Sequence, residues 1–261
     1  MMTNRQLLDT ALRQSAIDMC CAPEDFLRET PVTVRAQKSD GARKYLPQPA
    51  EFSMVSYGHN IVAATAEAYA ELAREYAAKV PLEYWLDAPY IHALEKRLHA
   101  HGLSVSRTAE YWLPDLTRLE ALPSIYETKL LTQADFAELY RPEWSNALCE
   151  KRRELDVLGV GAYDGGRLIG LAGCSADCGE MWQIGVDVLP EYRRKYIAAA
   201  LTSQLAAEIL KRGKVPFYCC AWCNLASARN AVRSGFSPAW TELHAEKSDN
   251  TAFDIQIGAK G

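Results

Sequence analysis

The stretch that most restricts this chain is "MWQIGVDVLPEYRRKYIAAAL", residues 181–201. A β-like run ends at Pro190, two arginines and a lysine follow, and small residues then open a helix. The first turn of a helix carries N–H groups without intrahelical partners, and the helix dipole adds positive potential there. A strand that reaches such a turn through Arg193, Arg194 and Lys195 is built to hold an anion. Ala198, Ala199 and Ala200 keep the helix start slim, so a phosphate has room to approach the backbone. Cradles of this kind ordinarily use glycine, yet Tyr196 stands at the most crowded position. The plainer alternative is a solvated basic turn ahead of an amphipathic helix.

The surrounding pattern supplies more strands and helices. Residues 3–20 are expected to form an opening helix, with Leu7, Leu8, Ala11, Leu12 and Ile17 at helical spacing. A turn and short helix ("CAPEDFL") lead to a short strand ("PVTVRA"), and "QKSDGARKYLPQPAE" reads as a polar loop or hairpin. "FSMVSY" and "NIVAAT" are strands, "AEAYAELAREYAAK" is a helix, and 89–101 is another, closed by Gly102. "LSVSRTAEYWLP" alternates as a strand. Two prolines in 114–125 mark a boundary, which predicts an N-terminal α/β domain over 1–120 and a second domain over 121–261. There "IYETKLL" is a strand, Thr132 caps a helix in "QADFAELY", and "LGVGAYDGGRLIGLAGCSA" is a hairpin turning at Gly165–Gly166. After the third strand, 181–188, residues 193–212 should be helical, since Ile197, Leu201, Leu205 and Ile209 recur every four residues. "VPFYCCAW" is a strand, "LASARNAVRS" a helix, and "SPAWTELHAE" and "AFDIQIG" late strands. The segments "HALEKRLHAHGLSVSRTAEYW" and "ASARNAVRSGFSPAWTELH" both run helix, Gly, large apolar residue, Ser, strand, a pattern compatible with a degenerate internal duplication.

Length and charge narrow the class. The 261 residues, 49% hydrophobic, suffice for one large or two smaller cores. A net charge of −4 argues against a general nucleic-acid binder. Without an apolar run long enough to span a bilayer or a signal-peptide core, a cytoplasmic protein with no membrane partner is expected. The eight cysteines include "CSADC" and "CCAWC", whose spacings invite a zinc reading. Their spacing is not that of a tight ribbon, and "FYCCAWC" has the look of a buried strand, so reduced, buried thiols and no metal are expected.

Residues 186–201 resemble the acetyl-CoA motif of the GNAT N-acetyltransferase superfamily: strand, proline, then Arg/Gln-x-x-Gly-x-Gly/Ala at a helix start. Arg193 matches the first position and Ala198 the last, while Tyr196 replaces the first glycine. Downstream, "NLASARNAVRSGF" resembles the family's second helix through Asn224, Ser227 and Gly235–Phe236. The N-terminal half resembles the extension of some bacterial GNAT-like proteins. The resemblance implies an α+β fold: a mixed central sheet flanked by helices, with the N-terminal half compatible with a degenerate GNAT-like unit. It implies acetyl-CoA as co-substrate, an amine acceptor on a small molecule or peptide, and admits a homodimer.

The same resemblance assigns residues. Val186, Asp187 and Val188 would lie along the pantetheine arm, the two valines bonding it through their backbone and polarising the thioester. Arg193, Arg194, Lys195, Tyr196, Ile197, Ala198 and Ala199 would hold the pyrophosphate, and Asn224 and Ser227 would complete the cofactor site. Asn224 is equally a helix N-cap. Many members place a tyrosine acid seven residues after that asparagine, where this chain has Ala231. Tyr218, Cys219 and Cys220 are the substitutes on the neighbouring strand, against a plain packing role. For the base the candidates are Glu180, Asp187 and His244, with Asp187 turned to the opposite face of its strand from the two valines. Tyr57, Tyr84, Trp85, Tyr90, Tyr111 and Trp112 are expected either to line an acceptor cleft or to fill a core.

Overall fold

A computed structural model describes residues 2–247; the strand expected at 252–258 lies outside them. The chain forms two compact units that interleave along the sequence. Among the described residues, one comprises 2–18, Asp40–Leu46 and Ala109–Trp240; the other comprises Met19–Ser39, Pro47–Thr108 and 241–247.

The larger unit holds strands β5 (Glu127–Thr132), β6 (Asp156–Asp164), β7 (Arg167–Ser175), β8 (Met181–Val188) and β9 (Val215–Cys220), and helices α4 (Ile197–Lys211) and α5 (Leu225–Arg233). The end of β4 (Leu103–Pro114) joins β9, giving the order β4-β9-β8-β7-β6-β5. Only β8 and β9 run parallel in it; the other pairs are antiparallel. The β6–β7 hairpin closes through Gly165 (φ 54°) and Gly166 (φ 84°). Positive φ at both central residues is what a two-residue hairpin with right-handed strand twist requires. Ile197, Leu201, Leu205 and Ile209 are all at most 2% exposed and pack on Val160, Ala162, Ile169, Ala172 and Ile184. Burying each such side chain contributes about 1.5–3 kcal/mol, which explains why the four-residue spacing predicted α4 well.

The opposite face of that sheet is covered by the chain itself. Thr132 and Asp135 form a capping pair, but the helix expected after them is a single tight turn, Gln133–Asp135. From there the chain crosses the strands as an irregular segment, burying Phe136, Trp144, Ala147 and Leu148 against Leu131 and Leu171. Its path lies over three glycines in register, Gly159 opposite Gly173 and Gly173 opposite Gly185. A Cβ on Gly185 would lie 1.8 Å from the Asn146 carbonyl oxygen, and one on Gly173 2.2 Å from that of Ala147. Gly159 faces the Phe136 ring.

Within the same unit, α1 (Asn4–Met19) delivers Asp18 to a buried ion pair. Its carboxylate accepts from Arg43 Nε at 2.5 Å and from the Arg43 backbone N–H at 2.8 Å. The guanidinium lies 5.3–6.0 Å from the ring centres of Tyr45, Tyr111, Phe217 and Trp240. Desolvation of a buried charge is opposed here by the carboxylate and by the rings' negative faces.

The smaller unit contains β1 (Val32–Arg35), β2 (Phe52–Ser56), β3 (Val62–Thr65), the start of β4 and the end of β10 (Phe236–Lys247). Their order is β1-β3-β2-β10-β4. Helices α2 (Ala70–Lys79) and α3 (Ala88–His99) bury Leu72, Tyr76, Leu94 and Leu98 on Phe52, Met54 and Leu243. Trp85 and Tyr90 join this core, Tyr57 packs edge-on to Phe26, and Tyr84 is exposed. In the larger unit Tyr111 stacks on Trp240 and Trp112 enters the α4 core. Helix α3 ends at Gly102 (φ 71°) before a long strand, and α5 at Gly235 (φ 84°) before another, the repeated pattern seen in the sequence.

Candidate functional site

The site begins where β8 and β9 part. Their parallel pairing runs from Met181↔Val215 to Ile184↔Tyr218. Beyond it β8 stays with β7 through Gly170↔Val188, while β9 turns its pairing to β4 at Tyr218, Cys219 and Cys220. The edge of β8 from Gly185 to Val188 therefore faces a gap. Val186 and Val188 pack toward α4, and Asp187 points to the other face. There its carboxylate accepts from the Asn146 backbone N–H (2.8 Å), Asn146 Nδ2 (2.7 Å) and the Ala147 N–H (3.0 Å). Asp187 is thus an anchor for the crossing segment.

After β8 comes a tight turn, Pro190–Tyr192, and then two left-handed residues, Arg194 (φ 64°) and Tyr196 (φ 60°, ψ 12°). A right-handed helix admits neither, so α4 starts at Ile197, four residues later than its sequence pattern predicts. Ala200 donates the first backbone bond of the helix, to the Tyr196 carbonyl at 3.1 Å. The N–H groups of Ile197, Ala198 and Ala199 precede that ladder, at the positive end of the dipole.

A cleft of about 480 Å³ opens there, lined by Val188, Tyr192, 193–194, 196–199 and, from α5, Ala226, Arg229, Asn230 and Arg233. Four of the lining residues are arginines and none is a carboxylate. Tyr196 is 68% exposed, and the Arg233 guanidinium stands 5.2 Å from its ring centre. Tyr196 adopts a left-handed conformation that favours glycine, and its ring lines the cleft while staying largely exposed. Arg193 Nε donates to the Val188 carbonyl at 3.1 Å.

Several residues expected here are placed elsewhere. Lys195 leaves the cleft: its ammonium donates to Tyr126 Oη at 3.1 Å, a bond that raises its pKa, and lies 5.0 Å from the Tyr192 ring centre. Asn224 caps α5, its Oδ1 accepting from the Ser227 N–H at 3.1 Å. Ser227 Oγ lies 2.7 Å from the hydroxyl of Tyr218, which is buried, and burial raises that phenol's pKa. Glu180, a candidate base, immediately precedes the first residue of β8. It pairs with Lys214 at 3.5 Å. His244 lies in the smaller unit, buried, with Nδ1 2.9 Å from Ser53 Oγ and Nε2 3.0 Å from Glu242 Oε2.

The structure adds residues the sequence did not single out. Arg229 and Arg233 come from α5, and their four-residue spacing puts both on one face of the helix but does not by itself mark a site. Glu110 on β4 stands opposite Cys220 on β9, on the same face as Trp112, and burial raises its pKa. Among the described residues no group of three or more His, Cys, Asp or Glu is placed to hold a metal ion. No described helix is long and apolar enough to cross a membrane.

A sequence model described as GNAT acetyltransferase matches residues 56–239. Among solved structures, the chain is similar to a GCN5-related N-acetyltransferase-like protein from Streptococcus suis, at 22% identity over 61% of this chain and 69% of that one, with a TM-score of 0.44. It is also similar to a GCN5-related N-acetyltransferase from Kribbella flavida (16%, covering 60% and 63%, TM-score 0.46). A third is an acetyltransferase of the GNAT family from Colwellia psychrerythraea (14%, covering 56% and 57%, TM-score 0.44). No protein of curated function matches the chain.

Proposed function

The chain belongs to the GNAT acetyltransferase family, and from that premise we propose that it is an acetyl-CoA-dependent N-acetyltransferase acting on the amine of a small molecule or a peptide. The observation that carries this reading is the arginine-lined cleft at the start of α4, beside the strand edge that β8 exposes on leaving β9. Phosphates need cations and N–H donors, and the cleft supplies both without a carboxylate to oppose them. Acetyl-CoA, when bound, supplies the acyl thioester. The chain's own part is then to hold the phosphates with Arg193, Arg194 and the first N–H groups of α4. The Val186–Val188 edge orients the donor arm through backbone groups.

Acetyl transfer to an amine also needs a base, an oxyanion site and an acid for the thiolate. We propose Glu110 as the base in place of Glu180: it stands on β4 opposite Cys220 of β9, and burial raises its pKa. Tyr218 remains the acid, with its hydroxyl held by Ser227. We place the protein in the cytoplasm.

Calorimetric titration with acetyl-CoA and CoA tests the binding half of this reading, and thiol release in an amine screen tests the catalytic half. Absence of binding at millimolar ligand would sink it. A second reading, binding without turnover, draws on Ala231, which is fully buried where related enzymes carry a phenol. Binding of CoA with no thiol release across the screen would select it.

A further inference from the structure

We propose that Asp156 is a proton-operated latch on the segment that crosses the sheet between β5 and β6: the segment closes on a neutral carboxyl and opens more often over an ionised one. The proposal stands on the packing of that segment and is independent of what the cleft binds. Three aspartates hold the segment, and their surroundings differ. Asp187 is half-buried and accepts its three bonds from Asn146 and Ala147. Asp156, the first residue of β6, is 1% exposed. Its Oδ2 accepts from the Cys149 N–H at 2.8 Å, and the Tyr140 hydroxyl bonds it from further back in the segment. Asp177, fully buried in the connection between β7 and β8, lies 3.2 Å from Arg152 Nε. Asp156 pairs with Ser175 across the β6–β7 ladder, two residues from Asp177, so the two carboxylates are neighbours and Arg152 acts on both. The titratable and charged groups facing Asp156 are Tyr140, Cys149 and Arg152 from the segment, Cys174 from β7 and Asp177.

Burial outweighs the bonds from Cys149 and Tyr140 and the attraction of Arg152, and raises the Asp156 carboxyl to about 6 from its ordinary 3.8. Tyr140, Cys149 and Arg152 belong to the segment itself, so opening it returns the carboxyl to water. Between those two values the group is neutral when the segment is closed and ionised when it is open. Opening then releases a proton, and raising the pH favours it. The opening equilibrium should rise about fiftyfold between pH 4 and pH 7. Asn146 and Ala147 lie against Gly185 and Asp187, where β8 borders the gap. The latch therefore sets how often that edge is uncovered on the face away from α4.

Hydrogen–deuterium exchange of the full chain reads this equilibrium, with peptides from 136–152 followed by mass spectrometry and corrected for the intrinsic pH dependence of exchange. Peptides from the buried face of α4 report global unfolding. At each pH the segment should exchange faster than α4, and its opening should increase about fiftyfold from pH 4 to pH 7. D156N, uncharged and of the same shape, should cut that increase to below about fivefold. Y140F removes a bond that favours the ionised carboxyl, so the midpoint should move to higher pH. A wild-type pH profile retained in D156N would overturn the proposal, as would a segment that exchanges only as fast as α4. An unmoved midpoint in Y140F would overturn it too, which keeps the test decisive even where D156N does not fold.

Discussion

The hairpin turn at 164–167 and the turn at 190–196 touch each other, and they meet the same backbone demand with different residues. Tyr192 donates its hydroxyl to Asp164 at 2.8 Å, and Arg167 pairs with Glu191 at 2.9 Å. Each turn contains two residues at positive φ. The hairpin uses Gly165 and Gly166, which adopt it without steric cost; the other uses Arg194 and Tyr196. An L residue in this region costs about 1–2 kcal/mol. Gly166 has open space where a Cβ would go, so the hairpin glycines answer conformation alone. At the cleft, a guanidinium and an aromatic ring stand where glycine would be easier for the chain. The difference separates a turn chosen for folding from a turn that carries binding groups at some expense of stability.

Substitutions can break or sharpen this contrast, and the largest effect is expected where glycine answers space. Gly185→Ala sets a Cβ against the Asn146 carbonyl and should cost more than about 3 kcal/mol in urea unfolding, since backbone must move. Asp187→Ala removes the acceptor of three hydrogen bonds to the same segment and should cost about 2–3 kcal/mol by the same measurement. Gly166→Ala meets no neighbour, so its loss should be only the conformational 1–2 kcal/mol or so. Arg194→Gly should act in the opposite direction, with a gain below about 1 kcal/mol, because relief of strain is partly offset by a freer unfolded chain. The same variant should lose CoA affinity in calorimetry. If Arg194→Gly were destabilising, the contrast between the turns would be mistaken.

Much of the architecture was legible because periodicity follows burial. The strand patterns at 103–114 and 181–188 match β4 and β8 end to end, and the four-residue apolar series of α4 is its buried face. What escaped was set by tertiary contact. Thr132 makes its cap, yet the turn it starts ends after three residues because Phe136 must settle over Gly159. "QKSDGARKYLPQPAE" reads as a polar loop, and nothing local says that Arg43 is 2% exposed beside Asp18. Within the cleft, the basic turn and the small residues of α4 stood out because their chemistry is contiguous in sequence. Arg229 and Arg233 did not, since arginines four apart look like any solvated helix face. Glu180 was proposed as a base from its place at the start of a strand, and nothing local says that it pairs with Lys214.

The row Gly159, Gly173, Gly185 has a consequence for assembly order. It exists only when β6, β7 and β8 are aligned as observed. Sliding β8 by two residues keeps every side chain on its own face, so binary patterning alone does not forbid it. It would, however, bring Gln183 or Asp187 to the place of Gly185, where the Asn146 carbonyl leaves no room for a side chain. The crossing segment therefore works as a gauge laid over the sheet, seating on one alignment and refusing its neighbours. Because the same alignment sets how far β8 runs past Ile184, the gauge also sets the length of strand edge that faces the cleft.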